Sequence, residues 1–178
     1  MDDSLTDRAT PAEPDPDGEV ADFGTGYDSE RPDPTPVPAW AHVAKRLESS
    51  RNYWVVSRRP DGRPHTAPVW GLWWRGTLWF STGPGTVKAR NLVAEPSAVV
   101  HLESGDDVVV VEGDIHSVPV PADVDEFIAA YDAKYGFRPT AQSLEGSLFR
   151  LCPKLALTWS EQVFPLGKVR WRFPGPAG

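Results

Sequence analysis

RRPDGRPHTAPVWGLWWRGTLWFSTGPGTVKARN, residues 58–91, is the stretch whose reading decides the fold. Trp, Val and other apolar residues fill short strand-like runs, a pleated surface rich in aromatic rings. Pro60-Asp61-Gly62 and Gly76-Thr77 punctuate them as turns, so the stretch reads as successive β-hairpins. The predicted strands are 53–59, 65–75 and 78–82, with Gly71 marking a bend or bulge in the second. Gly83-Pro84-Gly85 then opens a short basic helix through Glu95, with Thr86 as its N-cap and Pro96 as its stop. A surface of Trp and Val therefore runs into a turn where the N–H groups of a helix start, aided by Lys88 and Arg90, attract an anion. Flat apolar rings beside a basic turn suit a flat ligand with a phosphate tail. A plain turn into a surface helix would use the same two glycines, and the order of a GxxxxGK[ST] loop is missing.

Outward from this stretch, Pro38 begins a short helix with Trp40, Val43, Ala44 and Leu47 on one side. Residues 98–103 and 107–116 form another hairpin across Ser104-Gly105-Asp106, and the run VVVV at 108–111 predicts a strand buried on both faces. Asp123 with Glu126 has the spacing of a capping box, after which Val124, Phe127, Ile128, Tyr131 and Tyr135 share one helical face. Strands at 154–161 and 169–173 follow. Six or seven short strands joined by hairpins and crossed by small helices predict a mainly β, closed or nearly closed barrel with short flanking α-helices.

The 178 residues suit one domain with a real core. The net charge of -7 is uneven, because residues 1–38 carry eleven acids against Arg8 and Arg31, a local charge of -9 that leaves the rest at +2. Residues 1–37, acidic, Pro-rich and poor in apolar clusters, predict a disordered tail ahead of a folded domain at 38–178. A mildly positive body without a basic stripe argues against a nucleic-acid surface and fits a local anion site. Cys152 is the single cysteine, which excludes an internal disulfide, predicts a buried inert thiol and suits a reducing cytoplasm. No run of about 18 apolar residues predicts a membrane helix, and the N-terminus lacks a secretory signal pattern.

Of His42, His65, His101 and His116, none pairs at metal-ligand spacing, so no zinc site is expected. His65 opens the strand nearest the glycine turn. No nucleophile elbow is present, and the carboxylates Glu103, Asp106, Asp107, Glu112 and Asp114 read as a solvated hairpin face.

Gly62-Arg63-Pro64-His65, Pro68-Val69-Trp70, Phe80-Ser81-Thr82, Lys88-Ala89-Arg90-Asn91-Leu92 and Pro96, in this order and spacing, resemble the pyridoxamine 5'-phosphate oxidase-like superfamily over residues 38–173. The ending Val169-Arg170-Trp171-Arg172-Phe173 is similar to its actinobacterial flavin/deazaflavin-dependent branch. The resemblance implies a split β-barrel homodimer that binds FMN or coenzyme F-420 between subunits, with a slight lean to F-420. By position it implies that His65, Thr66, Ala67, Pro68, Val69 and Trp70 run along the ring, and that Ser81 and Thr82 bond its edge or the ribityl chain. It implies that Lys88, Arg90 and Asn91 hold the phosphate, and that Trp171 and Arg172 approach from the C-terminal strand. Vitamin B6 oxidation is not implied, because VRWRFPGPAG does not reproduce the paired arginines and proline of the oxidases proper. Implied instead is hydride transfer to an unsaturated small molecule. The rival is a non-catalytic flavin- or haem-binding barrel, with His65 or His101 as an axial ligand.

Overall fold

The computed structural model describes residues 12, 14–21, 24, 37–164 and 167–174. Nine strands form one antiparallel sheet, β1(Asp17–Val20), β2(Tyr53–Arg58), β3(Pro64–Val69), β4(Gly71–Trp74), β5(Thr77–Ser81), β6(Ser97–His101), β7(Asp107–Ser117), β8(Leu148–Ser160) and β9(Val169–Arg172). The helices are α1(Trp40–Ser49), α2(Val87–Ala94), α3(Val124–Tyr135) and the single turn α4(Ala141–Leu144). The sheet order is β1-β9-β8-β7-β6-β2-β3, and β5 pairs with both β4 and β8. The long β8 is the hinge of this order. Its first half pairs β5, its second half pairs β9, and β7 runs along its other side. The result is a split barrel.

Alternation decides which face is inside. Tyr53, Val55 and Ser57 of β2 are buried, as are Val100 of β6 and Val109, Val111 and Ile115 of β7. Fully burying an aliphatic side chain contributes about 1.5–3 kcal/mol, so this row carries much of the core. α1 packs Trp40, Val43 and Leu47, buried on one stripe, into the same core. A second cluster gathers Phe127, Ile128, Tyr131 and Tyr135 of α3 against Leu72 and Trp79.

Several expectations are corrected in detail. The strand expected at 65–75 is two strands, broken at Trp70. A Cβ on Gly71 would lie 2.6 Å from the Trp79 carbonyl, so only glycine lets β4 approach β5 there. Arg75 (φ +54°) and Gly76 (φ +81°) make the tight turn between β4 and β5. That turn brings Arg75 to Asp123 (2.5 Å) and Glu126 (2.8 Å), so Asp123 forms an ion pair instead of capping α3. The VVVV strand is buried at Val108, Val109 and Val111, whereas Val110 is half-buried on the outer face. β8 begins six residues before its expected start, because Pro153 does not end it. Pro153 faces Gly113 at a β-bulge, which tolerates the missing N–H. Cys152 is half-buried, not buried, with Arg150 Nη2 3.7 Å from its Sγ. Within the expected disordered tail, Asp17–Val20 pair with β9, and residues 1–11, 13, 22–23 and 25–36 lie outside the described residues.

Candidate functional site

The strongest cluster lies where β2 and β3 meet α2. Ser57 and His65 are directly paired across the two strands, so both side chains leave the sheet on its inner face, toward α2. Ser57 is the polar exception in an inward row of Tyr53 and Val55. Asn91 Nδ2 donates to its Oγ at 3.1 Å, and both side chains are buried. This bond docks α2 onto β2. Thr86 caps the helix, accepting from the Ala89 N–H at 3.2 Å, as the sequence predicts. Lys88 turns back to donate to Thr82 Oγ1 at 2.9 Å, and Thr82 Oγ1 also lies 3.1 Å from Thr86 Oγ1. Arg90 is exposed and donates to the Gly85 carbonyl at 2.5 Å, folding over the glycine turn.

The electrostatics suit an anion. Lys88 is half-buried and forms no ion pair among the described residues; burial pulls its ammonium below the ordinary lysine value. His65 is pulled below the ordinary histidine value by burial first, then by the nearby positive charges of Arg59 and Lys88. Its Nδ1 is buried with no hydrogen-bond partner. Leaving such a group unsatisfied costs about 1–3 kcal/mol, which an incoming acceptor or donor would recover. An unpaired ammonium, an orphaned imidazole nitrogen and a helix start thus converge, and the donor set fits a phosphate ester. Sequence reading misses Ser57 and Arg59. Ser57 carries a signal, being the polar residue at an inward-facing strand position.

The remaining predicted residues divide. Thr66 and Pro68 are exposed on the opposite face of β3, Ala67 is half-buried, and Val69 is buried. Trp70, just past the strand, is 42 % exposed and stacks on Tyr135 with centroids 4.7 Å apart and 11° between planes. Ser81 is exposed and shares a hydrogen bond with Ser147 at 2.9 Å. Trp171 is 2 % exposed and belongs to the core. Its Nε1 donates to Thr158 Oγ1 at 2.9 Å, and its ring meets Trp40 edge-on at 5.2 Å. Its strand partners, Gly18 and Ala156, are small and make room for the indole, so it has no surface to offer a ligand. Arg172 reaches Glu19 at 3.1 Å, and four strands separate β9 from β3 in the sheet order. One chain therefore does not bring Arg172 to the β3–α2 cluster.

The outer sheet face carries a groove of about 380 Å³ lined by Val56, Arg58, Pro64, Val99, Glu112 and Lys154 among others. On the same face His101 stacks parallel to Trp54, 6.3 Å away, and its Nδ1 donates to the Leu102 carbonyl at 2.8 Å. Among the described residues, no group of three or more His, Cys, Asp or Glu could hold a metal ion, and no helix is long and apolar enough to cross a membrane.

Comparison with known proteins agrees with this architecture. The family model for pyridoxamine 5'-phosphate oxidase matches residues 39–152. Among solved structures, a conserved hypothetical protein from Mycobacterium tuberculosis is 22 % identical with a TM-score of 0.62, over 80 % of this chain and 94 % of that one. A heme binding protein from Mycobacterium smegmatis is 16 % identical with a TM-score of 0.56, over 74 % of this chain and 57 % of that one. A pyridoxamine 5'-phosphate oxidase-related, FMN binding protein from Nostoc punctiforme is 15 % identical with a TM-score of 0.53, over 75 % and 91 %. At these identities the likeness is one of fold. No curated protein matches the sequence.

Proposed function

Because the chain belongs to the pyridoxamine 5'-phosphate oxidase family, we propose that it is an oxidoreductase using coenzyme F-420 or FMN to move a hydride to an unsaturated small molecule. The observation that carries this reading is the half-buried Lys88 ammonium, without an ion pair among the described residues, whose charge is felt by His65 with its buried, unbonded Nδ1. When bound, the cofactor supplies the hydride chemistry, and the protein supplies placement and electrostatics. That division suits a sequence in which no nucleophile or acid–base constellation stands out.

In this reading Lys88, with Arg90 and the helix start, holds the phosphate, and Asn91 serves by fixing α2 to Ser57. Thr66, Pro68 and Trp70 line the ring from β3, with His65, Ala67 and Val69 shaping the strand from its inner face. Ser81 and Thr82 meet the ring edge or the ribityl chain. Arg172 joins only from a second copy, in a homodimer that covers the half-buried outer residues Trp54, Val56, Val99, Val110, Leu155 and Leu157. F-420 ranks first because of the Arg170-Trp171-Arg172-Phe173 ending.

The test is titration of the full chain with F-420 and with FMN, followed by tryptophan emission, with the oligomeric state measured by sedimentation. Saturable binding of either by a dimer supports the reading; binding of neither, or a monomer, overturns it. Turnover of the reduced cofactor against enones, quinones and tetrapyrroles then identifies the acceptor class.

One observation favours a second reading, a haem-binding barrel without catalysis. The bond of His101 Nδ1 to the Leu102 carbonyl leaves Nε2 outside that contact, the nitrogen an axial ligand would use. A Soret band that forms with haem and is lost in His101→Ala would select it.

A further inference from the structure

The break between β3 and β4 is held by more bonds than a strand end needs. The Gly71 N–H donates to Tyr135 Oη at 2.9 Å. The single O–H of Tyr135 is shared between the carbonyls of Arg51 (2.7 Å) and Gly71 (2.8 Å). Lys134 Nζ donates to the Gly71 carbonyl at 3.1 Å and to Tyr53 Oη at 3.0 Å, and Tyr53 in turn donates to the Leu47 carbonyl at 2.5 Å. Tyr135 and Lys134 both bond Gly71, and its neighbour is Trp70.

Trp70 belongs to neither core cluster. One face of its indole lies on Tyr135, and the Arg51 guanidinium carbon stands 5.2 Å from the Trp70 ring centre and 5.6 Å from that of Tyr135. No other ring contacts Trp70 among the described residues, and the side chain keeps 42 % of its surface. A large ring is thus fixed in angle without being buried. Fixing a ring in advance spares the ordering cost when a flat ligand stacks on it.

We infer that Trp70 is a stacking platform for the flat part of the ligand, and that Lys134 and Tyr135 are positioning residues that set the angle of its ring. The inference rests on the proposed placement of a ring along β3. Neither Lys134 nor Tyr135 touches the ligand in this arrangement; both act through Gly71 and Trp70. The ionisable groups around the Lys134 ammonium are Glu48 and Arg51 at the end of α1, Tyr53 of β2, and Tyr131 and Tyr135 of α3. Burial pushes all three tyrosines up, so they stay neutral near pH 8, where burial places Lys134. Loss of that proton weakens the hold on Gly71.

The experiment uses the full chain. The Trp70 signal is the difference between wild type and Trp70→Phe in near-ultraviolet circular dichroism and in acrylamide quenching. In the unliganded wild type it should titrate near pH 8. The transition should vanish in Lys134→Met, and Lys134→Arg should hold the low-pH signal throughout. Tyr135→Phe, which keeps the ring and loses the hydroxyl, should raise the dissociation constants of FMN and riboflavin by one common factor of up to about tenfold, the scale of a lost aromatic stack. Lys88→Ala should affect FMN alone. A Trp70 signal indifferent to pH and to Lys134→Met overturns the inference, whatever binds. If F-420, FMN and riboflavin all fail to bind wild type, the proposed function falls and the platform role falls with it, while the pH titration still reports on the mount.

Discussion

Replacing Lys88 by alanine separates binding from folding. The ammonium makes one hydrogen bond, to a neutral hydroxyl at 2.9 Å, and has no ion pair among the described residues. A contact of the ammonium to phosphate contributes about 1.5–3 kcal/mol, partly offset because the ammonium must share or exchange its existing charge-assisted bond to Thr82. The net loss therefore sits at the lower end, near 1.4 kcal/mol, or about tenfold in Kd. Stability should hardly move. Lys88 is in the first turn of α2, alanine is the best helix former, and the change removes a partly desolvated charge, so the melting temperature should stay within about 2 °C. The assay is fluorescence titration with FMN, F-420 and riboflavin, which lacks the phosphate. FMN and F-420 should weaken by about tenfold, and riboflavin should not change. An unchanged FMN Kd with the dimer preserved, or equal losses for FMN and riboflavin, refutes the phosphate assignment.

Asn91→Ala leaves the buried Ser57 hydroxyl without its donor and should cost about 1–3 kcal/mol in urea unfolding with an unchanged slope. Gly113→Ala puts a Cβ 2.2 Å from the Cys152 carbonyl at the β7–β8 bulge. Backbone must move, and a loss of about 1–3 kcal/mol or more is expected, read as a lower melting temperature. Lys134 binds its proton less tightly when folded (pKa about 8) than an unfolded lysine does (about 10.4). Between these values the unfolded chain holds more protons, so this group makes stability rise with pH there and adds no slope below about pH 8. Lys134→Met should remove that rise in melting curves taken from pH 7 to 10; an identical rise in the variant would contradict the assignment.

Hairpins were legible because alternation and turn chemistry are local. The inward row of β2, the Thr86 cap and the Gly71 discontinuity all follow from neighbouring residues. What could not be read depends on partners far along the chain. Asp123 has the spacing of a cap yet answers to Arg75 across a turn, and Pro153 is spared as a strand breaker only because Gly113 opposes it. The glycine turn and Lys88 stand out in the sequence as a candidate site for the same local reason. Ser57 and Arg59 became visible once β2 was set beside α2, and Tyr135 read as an ordinary core residue until Gly71 claimed its hydroxyl. Trp171 misled because a C-terminal aromatic looks the same in sequence whether it faces a ligand or fills the space left by Gly18 and Ala156.

At one end of the sheet β1 pairs β9, while β3 at the other end has β2 as its one strand partner among the described residues. An open edge of that kind invites any extended peptide to add itself as the next strand. β3 carries Pro64 and Pro68, each lacking the N–H that a visiting strand would need. The border that lies along the proposed ring site is therefore closed to backbone ladders and open to side-chain contact. A small molecule can approach it without competing against self-association, and replacing both prolines should make the protein prone to form fibrous aggregates through this edge.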